Sequence, residues 1–208
     1  MTGRFITLEG GEGTGKSTQV ARLAERLRST GREVIVTREP GGTPGAEAIR
    51  ALLVQGEVDR WDALSETLLL NAARHDHVER VIRPALARGA WVVCDRYVDS
   101  TLVYQGIAKG LDVELLVRLH EQATGPLWPD LTLVLDVPAA IGLARAASRR
   151  GDETRFEAHD AAFHERLRAG FLDLAARYAG RCAVIDAIVD VDAVSAAIWQ
   201  AVAGRLAP

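Results

Sequence analysis

The sequence predicts an α/β fold, a three-layer α/β/α sandwich with a five-stranded parallel sheet. Two observations lead to this prediction. Apolar runs of strand length alternate with segments of helical periodicity along the whole chain, as in folds whose parallel strands are joined by helices. In addition, residues 91–95 and 131–136 are apolar almost without interruption, which is typical of strands buried on both faces.

The predicted elements follow in order. Strands are expected at residues 4–9, 33–37, 91–95, 131–136 and 182–186. Helices are expected at residues 16–30, 46–54, 64–88, 113–123, 139–149, 158–178 and 191–205. Gly31 is suited to end the first helix, and Pro84 is expected to kink the longest helix near its end. No linker or repeat interrupts the pattern, so we expect one domain over residues 1–208.

Composition restricts the class of protein. The chain has 208 residues and a net charge of −3, so no basic surface indicates nucleic-acid binding. Its two cysteines, Cys94 and Cys182, lie in apolar runs and are expected to be buried thiols. No segment reaches the roughly 18 apolar residues of a membrane span, and residue 1 leads into a strand rather than a signal peptide. We expect a cytoplasmic protein that binds neither nucleic acid nor membranes.

A glycine-rich loop lies between the first predicted strand and the first predicted helix. Residues 10–17 read Gly-Gly-Glu-Gly-Thr-Gly-Lys-Ser and fit the pattern G-x-x-x-x-G-K-[ST] of the P-loop NTP hydrolase/kinase fold. Backbone N–H groups of such a loop surround a phosphate, and the helix adds its positive N-terminal end. Only two of the 25 basic residues are lysines, and Lys16 is expected to reach the β- and γ-phosphates. The expected ATP-binding residues are Gly10, Gly11, Glu12, Gly13, Thr14, Gly15, Lys16, Ser17 and Thr18.

The residues after the third strand indicate which class of P-loop protein this is. No Asn-Lys-x-Asp motif typical of GTPases is present, and the strand ends in Asp95-Arg96 rather than in paired acids. This ending is more typical of a small-molecule kinase. Asp95 can hold Mg²⁺ together with Ser17, while Arg96 can neutralise the phosphate of an acceptor. A P-loop regulatory ATPase remains an alternative at this point, as does a kinase for another small acceptor such as dUMP or a deoxynucleoside.

Several ordered blocks make the chain resemble bacterial thymidylate kinases, of the nucleoside monophosphate kinase superfamily. They are residues 5–17, residues 37–43, Ala72-Ala73-Arg74, Asp95-Arg96-Tyr97, Ser100-Thr101 with Tyr104-Gln105-Gly106, residues 129–132 and residues 135–137. The resemblance implies transfer of the γ-phosphate of ATP to dTMP with Mg²⁺, for dTTP synthesis. It also implies a homodimer, with apolar helices such as the one at residues 64–88 in the interface.

The resemblance assigns roles to single residues. Arg38, Arg74 and Arg96 would hold the acceptor phosphate, because the planar guanidinium fork suits phosphate oxygens. Glu12 would contact the acceptor sugar and a metal-linked water. The remaining dTMP-binding residues would be Thr101 and Ser100 at the base edge, Tyr104 and Gln105 beside the sugar 2′ position, and Leu70, where the family usually has a stacking phenylalanine.

The basic segment around residues 146–156 resembles a mobile lid. Bacterial relatives often carry their transition-state arginines there, and the phosphate loop of this chain contains no arginine. Arg150 and Arg155 are the expected pair, which completes a predicted catalytic set with Lys16, Asp95, Arg96 and Glu12. Residues 187–189 are expected to face the adenine. Lys109 is expected to be exposed after a loop that carries Tyr104.

Overall fold

The computed structural model describes residues 3–148, 155–156 and 158–208. Its sheet has five parallel strands in the order β2-β3-β1-β4-β5. The strands are β1 (Phe5–Glu9), β2 (Val34–Arg38), β3 (Trp91–Asp95), β4 (Leu131–Asp136) and β5 (Cys182–Asp186). The predicted fold class is confirmed, and β1 lies at the centre of the sheet.

Helices cover both faces of the sheet. In the described part of the chain they are α1 (Lys16–Ser29), α2 (Pro44–Val54), α3 (Ala63–His77), α4 (Arg83–Ala87), α5 (Val98–Thr101), α6 (Val113–Thr124), α7 (Ala139–Ala147), α8 (Ala161–Arg177) and α9 (Val191–Leu206). Helix α8 begins three residues later than predicted, because the side chain of Asp160 caps it by accepting from the N–H of Phe163 at 2.7 Å.

Two hydrophobic cores lie on opposite faces of the sheet. On β3, Val92 and Cys94 pack with α8, whereas Trp91 and Val93 pack with α1 and α9. The alternation follows from the period of two of a strand, and burial on both faces explains the unbroken apolar run. Both cysteines are free and buried, as predicted.

The long predicted helix is divided near its end. A π-helical turn, Val78–Ile82, follows α3 and leads into α4, where Pro84 lies in the first turn. Proline has no N–H and its ring collides with the preceding helical turn, so the wider turn accommodates it. The predicted kink near Pro84 corresponds to this change of helical register.

The loop expected around Tyr104 is helical instead. Helix α5 continues into a π-helical turn, Leu102–Ala108, that buries Tyr104 and Gln105. β-Branched residues give this segment little helical signal of its own, and packing against α8 decides its conformation. The expectation that Lys109 is exposed is also wrong, because its side chain is 14% exposed and binds Glu66.

Among the described residues, no helix combines the length and the apolar character needed to cross a membrane.

Candidate active site

The phosphate loop connects β1 to α1 at the carboxyl edge of the sheet, where parallel α/β folds commonly bind ligands. Gly13 is required there for two reasons. Its φ of 68° lies in the left-handed region, and a Cβ at this position would be 1.9 Å from the carbonyl oxygen of Gly142. The loop therefore packs directly against the backbone of α7.

Lys16 lies folded over the loop that precedes it. Its Nζ donates to the carbonyl oxygens of Gly10 at 3.1 Å and Gly11 at 2.7 Å. Burial lowers the pKa of Lys16 to about 8, and Arg96 acts in the same direction while Glu12 opposes them. The ammonium is thus held by weak carbonyl acceptors that phosphate oxygens can replace.

Ser17 and Asp95, the predicted metal ligands, are brought together. The Ser17 hydroxyl donates to Asp95 Oδ2 at 2.7 Å across the gap between α1 and β3. In the described part of the chain, no group of three or more His, Cys, Asp or Glu side chains is arranged to hold a metal ion. Mg²⁺ that also binds nucleotide phosphates needs only one or two protein oxygens, so this pair fits it.

Arg96 connects the end of β3 to the phosphate loop. One terminal nitrogen donates to the Gly10 carbonyl oxygen at 2.9 Å and to Ser100 Oγ at 3.1 Å, and the other donates to Glu12 Oε1 at 2.7 Å. Its backbone φ of 68° is rare for a residue with a side chain and is typical of functional sites. The same Glu12 oxygen accepts from the Tyr104 hydroxyl at 2.8 Å.

Glu12 is ionised in this arrangement. Burial raises the pKa of its carboxyl, but Arg96 and Lys16 outweigh that effect and hold the pKa at about 2. An acidic residue in an anion-binding loop is therefore explained by its two cationic neighbours.

A cavity of about 590 Å³ opens above the phosphate loop, which is a size suited to a nucleotide. Residues 12–17 line one part of it. All eight predicted dTMP-binding residues line the same cavity: Arg38, Leu70, Arg74, Arg96, Ser100, Thr101, Tyr104 and Gln105. Thr18 is exposed on α1 and is not among the residues that line the cavity.

Arg74 is fixed in the wall of the cavity by a buried ion pair. Its Nε donates to Glu39 Oε2 at 2.7 Å, and one terminal nitrogen donates to Thr101 Oγ1 at 2.9 Å. The other terminal nitrogen is buried and has no hydrogen-bond partner among the described residues. Since Glu39 balances its charge, Arg74 brings to this wall a paired guanidinium rather than an unpaired cation.

Glu39 has no role in the sequence-based prediction, yet it supports this wall. Its second oxygen lies 2.9 Å from Nδ1 of the buried His77. Burial raises the pKa of Glu39, but Arg74 and His77 outweigh it and lower that pKa below its usual value. The only sequence signal was an acidic residue inside the conspicuous loop at residues 37–43.

Arg38 lies at the mouth of the cavity. Its side chain is 51% exposed and pairs with Glu47 at 3.0 Å. An exposed pair of this kind is weak, so the guanidinium is free to exchange Glu47 for a phosphate.

The structure does not bring Arg155 to the phosphate loop, contrary to its predicted place in the catalytic set. Its buried guanidinium pairs with Glu66 and donates to the carbonyl oxygens of Leu53, Glu57 and Val58. The acceptors of these hydrogen bonds lie on α2, on α3 and in the connection between the two helices. Arg150, the other predicted lid arginine, lies outside the described residues.

The loop predicted to face the adenine follows β5. Arg145, on α7, donates to the carbonyl oxygens of Ala187 at 3.1 Å and Ile188 at 3.3 Å. Ala187 is buried, whereas Ile188 and Val189 are roughly half exposed.

Comparison with known proteins identifies relatives over nearly the whole chain. The profile of the thymidylate kinase family matches residues 8–198. A thymidylate kinase from Caulobacter vibrioides is 58% identical over 204 residues, covering 98% of both chains. One from Afipia carboxidovorans is 54% identical and covers 99% of this chain and 91% of its own. The crystal structure of the enzyme from Ehrlichia chaffeensis superposes with a TM-score of 0.81 at 33% identity, covering 97% of this chain and 100% of that one.

Proposed function

The chain belongs to the thymidylate kinase family and phosphorylates dTMP to dTDP with ATP, and we propose that both nucleotides bind in the cavity above the phosphate loop. The observation that carries this proposal is that one cavity is lined by residues 12–17 and by all eight predicted acceptor residues. The donor phosphates and the acceptor phosphate can therefore meet without a covalent enzyme intermediate. In such a transfer the protein supplies position and charge.

Arg96 and Arg38 are the proposed ligands of the acceptor phosphate. Arg96 is held by Glu12 and Ser100 next to the phosphate loop, which supports a position between the two phosphate groups. The acceptor dianion must approach an anionic donor, so these fixed cations lower the repulsion that otherwise dominates the barrier. Lys16 would leave its carbonyl acceptors and bind the β- and γ-phosphates.

Ser17 and Asp95 are the proposed protein ligands of Mg²⁺. Their oxygens are adjacent, and both face the helix end where the phosphates of ATP would lie. When bound, the ion would neutralise the phosphate oxygens of the donor.

The base and sugar of dTMP are assigned to the wall of the cavity that α3 and residues 98–108 form. Thr101 and Ser100 remain the proposed contacts at the base edge, and Tyr104 and Gln105 remain beside the sugar. We place the guanidinium of Arg74 next to the base rather than the phosphate, because it donates to Thr101 and Glu39 already neutralises it. The buried Oε1 of Gln105 has no hydrogen-bond partner among the described residues.

The remaining proposals concern the architecture. Residues 1–208 would form one domain with a lid at about residues 146–156, of which residues 149–154 lie outside the described part of the chain. Arg150, one of these, remains the candidate for the transferred phosphate. A cytoplasmic location is proposed as well.

A homodimer is proposed because Leu64 and Leu68 on α3 expose 43% and 51% of their surface and could pair with a second copy. Sedimentation velocity should give a dimer, and Leu68→Glu should convert it to a monomer.

The activity itself is tested by coupled ADP release with ATP, Mg²⁺ and a panel of acceptors. We expect strong turnover with dTMP, weak turnover with dUMP and little with dCMP, dGMP, UMP or thymidine. Equal rates with dTMP and dUMP would remove the thymine preference. A rate independent of acceptor would leave only an ATPase.

A further inference from the structure

Phe156, to which sequence analysis gives no role, lies at the acceptor end of the cavity. Its half-buried ring lines the cavity beside Leu70 and Val54. It also packs edge-on against the Tyr104 ring, with centroids 5.7 Å apart and planes at 89°. Phe156 therefore joins the small apolar cluster of Leu53, Val54 and Leu70 to the main core on this side of the sheet.

The other aromatic side chains that line the cavity are those of Tyr97 and Tyr104. The guanidinium groups of Arg74 and Arg96 lie over the rings of Tyr97 and Tyr104, each at 5.2 Å from the centroid. The hydroxyl of Tyr104 is also bound, to Glu12. Phe156 carries no polar group, so its contribution to the cavity wall is purely apolar surface.

Residues on one face of α3 surround Phe156 and its neighbours. Glu66, Leu70 and Arg74 follow at intervals of four and so lie along the same side of the helix. The Glu66 carboxylate is fully buried and binds both Arg155 and Lys109. Leu70 belongs to the cluster against which Phe156 packs, and Arg74 donates to Thr101.

Arg155 ties the backbone next to Phe156 to this face. Its guanidinium makes the Glu66 ion pair and three bonds to backbone carbonyl oxygens, and its own N–H donates to the Val54 carbonyl oxygen at 3.4 Å. The cations of Arg155 and Lys109 lie 5.3 and 5.8 Å from the Phe156 ring centroid. Because both cations bind Glu66, this carboxylate fixes their positions next to the ring. Breaking a buried pair of this kind is strongly unfavourable, so the ring is held in place.

We propose that Phe156 contacts the pyrimidine of the acceptor beside Leu70, and that Arg155 and Glu66 are positioning residues that hold the ring there. This inference rests on the proposed acceptor site. A pyrimidine has two apolar faces, and Leu70 covers only one region of the wall. An aromatic contact on the base contributes about 0.5–1.5 kcal/mol beyond the buried area.

The first test is ¹⁹F NMR of the phenylalanine side chains, of which the chain has only four. Protein labelled with 4-fluorophenylalanine should give four ¹⁹F resonances, and the Phe156→Leu variant identifies the one from Phe156. We expect dTMP to shift this resonance in the absence of ATP, and Phe156→Leu to raise the Kd for dTMP about three- to tenfold.

Phe163→Leu is the matched control. Phe163 is buried and also meets the Tyr104 ring edge-on, at 6.3 Å, but it is not among the residues that line the cavity. Its loss should lower Tm and leave the Kd for dTMP unchanged. An unshifted Phe156 resonance, or equal Kd values for wild type and Phe156→Leu, would overturn the inference.

Thr101→Val separates this failure from failure of the acceptor site. If Thr101→Val weakens dTMP binding while Phe156→Leu does not, the acceptor site stands and the role of Phe156 is wrong. If neither variant changes the Kd, the site itself is misplaced.

The positioning role is tested with Arg155→Met and Arg155→Lys. We expect the methionine variant to raise KM for dTMP about tenfold with little change in kcat or in KM for ATP. The lysine variant should recover part of the effect, because it restores the charge opposite Glu66. A large fall in kcat at unchanged KM would instead identify Arg155 as a transition-state arginine, and a fall in Tm alone would leave it a purely structural residue.

Discussion

The guanidinium of Arg96 lies 2.7 Å from the carboxylate of Glu12, 84 positions earlier in the chain. This contact links the end of β3 to the phosphate loop. Glu12 keeps Arg96 oriented before any phosphate is bound, and Tyr104 fixes the same carboxylate from the other side. The site is therefore organised in advance around a cation that, in the proposed function, meets the dianionic phosphate of dTMP.

The Arg96→Ala variant should lose most of its activity. Removing a fixed cation at the developing charge costs about 10²- to 10³-fold in rate, and Glu12 is then left without its main counter-charge. Coupled ADP release with dTMP should show this fall in kcat/KM. Arg118→Ala provides the control, because its side chain is 62% exposed on α6 and its ion pairs are 3.9 and 4.0 Å long. Equal losses in the two variants would contradict a local role for Arg96.

Removing the Ser17 hydroxyl should weaken the response to Mg²⁺. Ser17→Ala deletes one of two adjacent oxygens, while Ser17→Thr keeps a hydroxyl. Activity titrated with Mg²⁺ at saturating ATP should show a higher half-saturating concentration for Ser17→Ala and a value near wild type for Ser17→Thr. EDTA should abolish turnover in all three proteins. Identical Mg²⁺ curves would exclude Ser17 as a ligand.

The buried Glu9 should make stability depend on pH. Burial raises its pKa from 4.5 to about 7, with Asp99 adding to the effect. The folded state then binds more protons than the unfolded state, so the stabilisation is complete below pH 4.5 and is lost as pH rises through 7.

Denaturant unfolding at pH 5 and pH 8 checks this prediction. Relative to Glu9→Gln, the wild type should lose up to roughly 3 kcal/mol of unfolding free energy between these values. Gln keeps an oxygen that can accept from the N–H of Tyr97, which donates to Glu9 at 2.7 Å. The exposed Glu25, changed to Gln, should show the wild-type dependence. If the unfolding free energy of the wild type falls no more than that of Glu9→Gln between pH 5 and pH 8, the pKa of Glu9 lies near its ordinary value.

The fold was predictable because buried parallel strands carry an unbroken apolar signal. Strands β3, β4 and β5 have the predicted bounds. Residues 98–108 were not predictable, since their helical conformation comes from packing rather than from their β-branched sequence.

The phosphate loop and eight residues that line the cavity were predictable from motif and resemblance, but their partners were not. Glu39 is positioned by Arg74, and Phe156 follows Arg155, which is bound by Glu66. Both Arg74 and Glu66 lie on α3, far from their partners in the sequence. The partners of Arg155 were not predictable for the same reason. A run of arginines indicates cations in a lid, but it does not show that one of them faces a buried glutamate on α3.

One cavity is proposed to hold both nucleotides with their phosphates in contact. A compound that joins adenosine and thymidine through five phosphates tests this when it is measured as an inhibitor of ADP release against each substrate in turn. We expect competitive inhibition against both ATP and dTMP, because the compound fills both ends of the cavity at once. Inhibition that is competitive against one substrate and noncompetitive against the other would contradict the shared cavity.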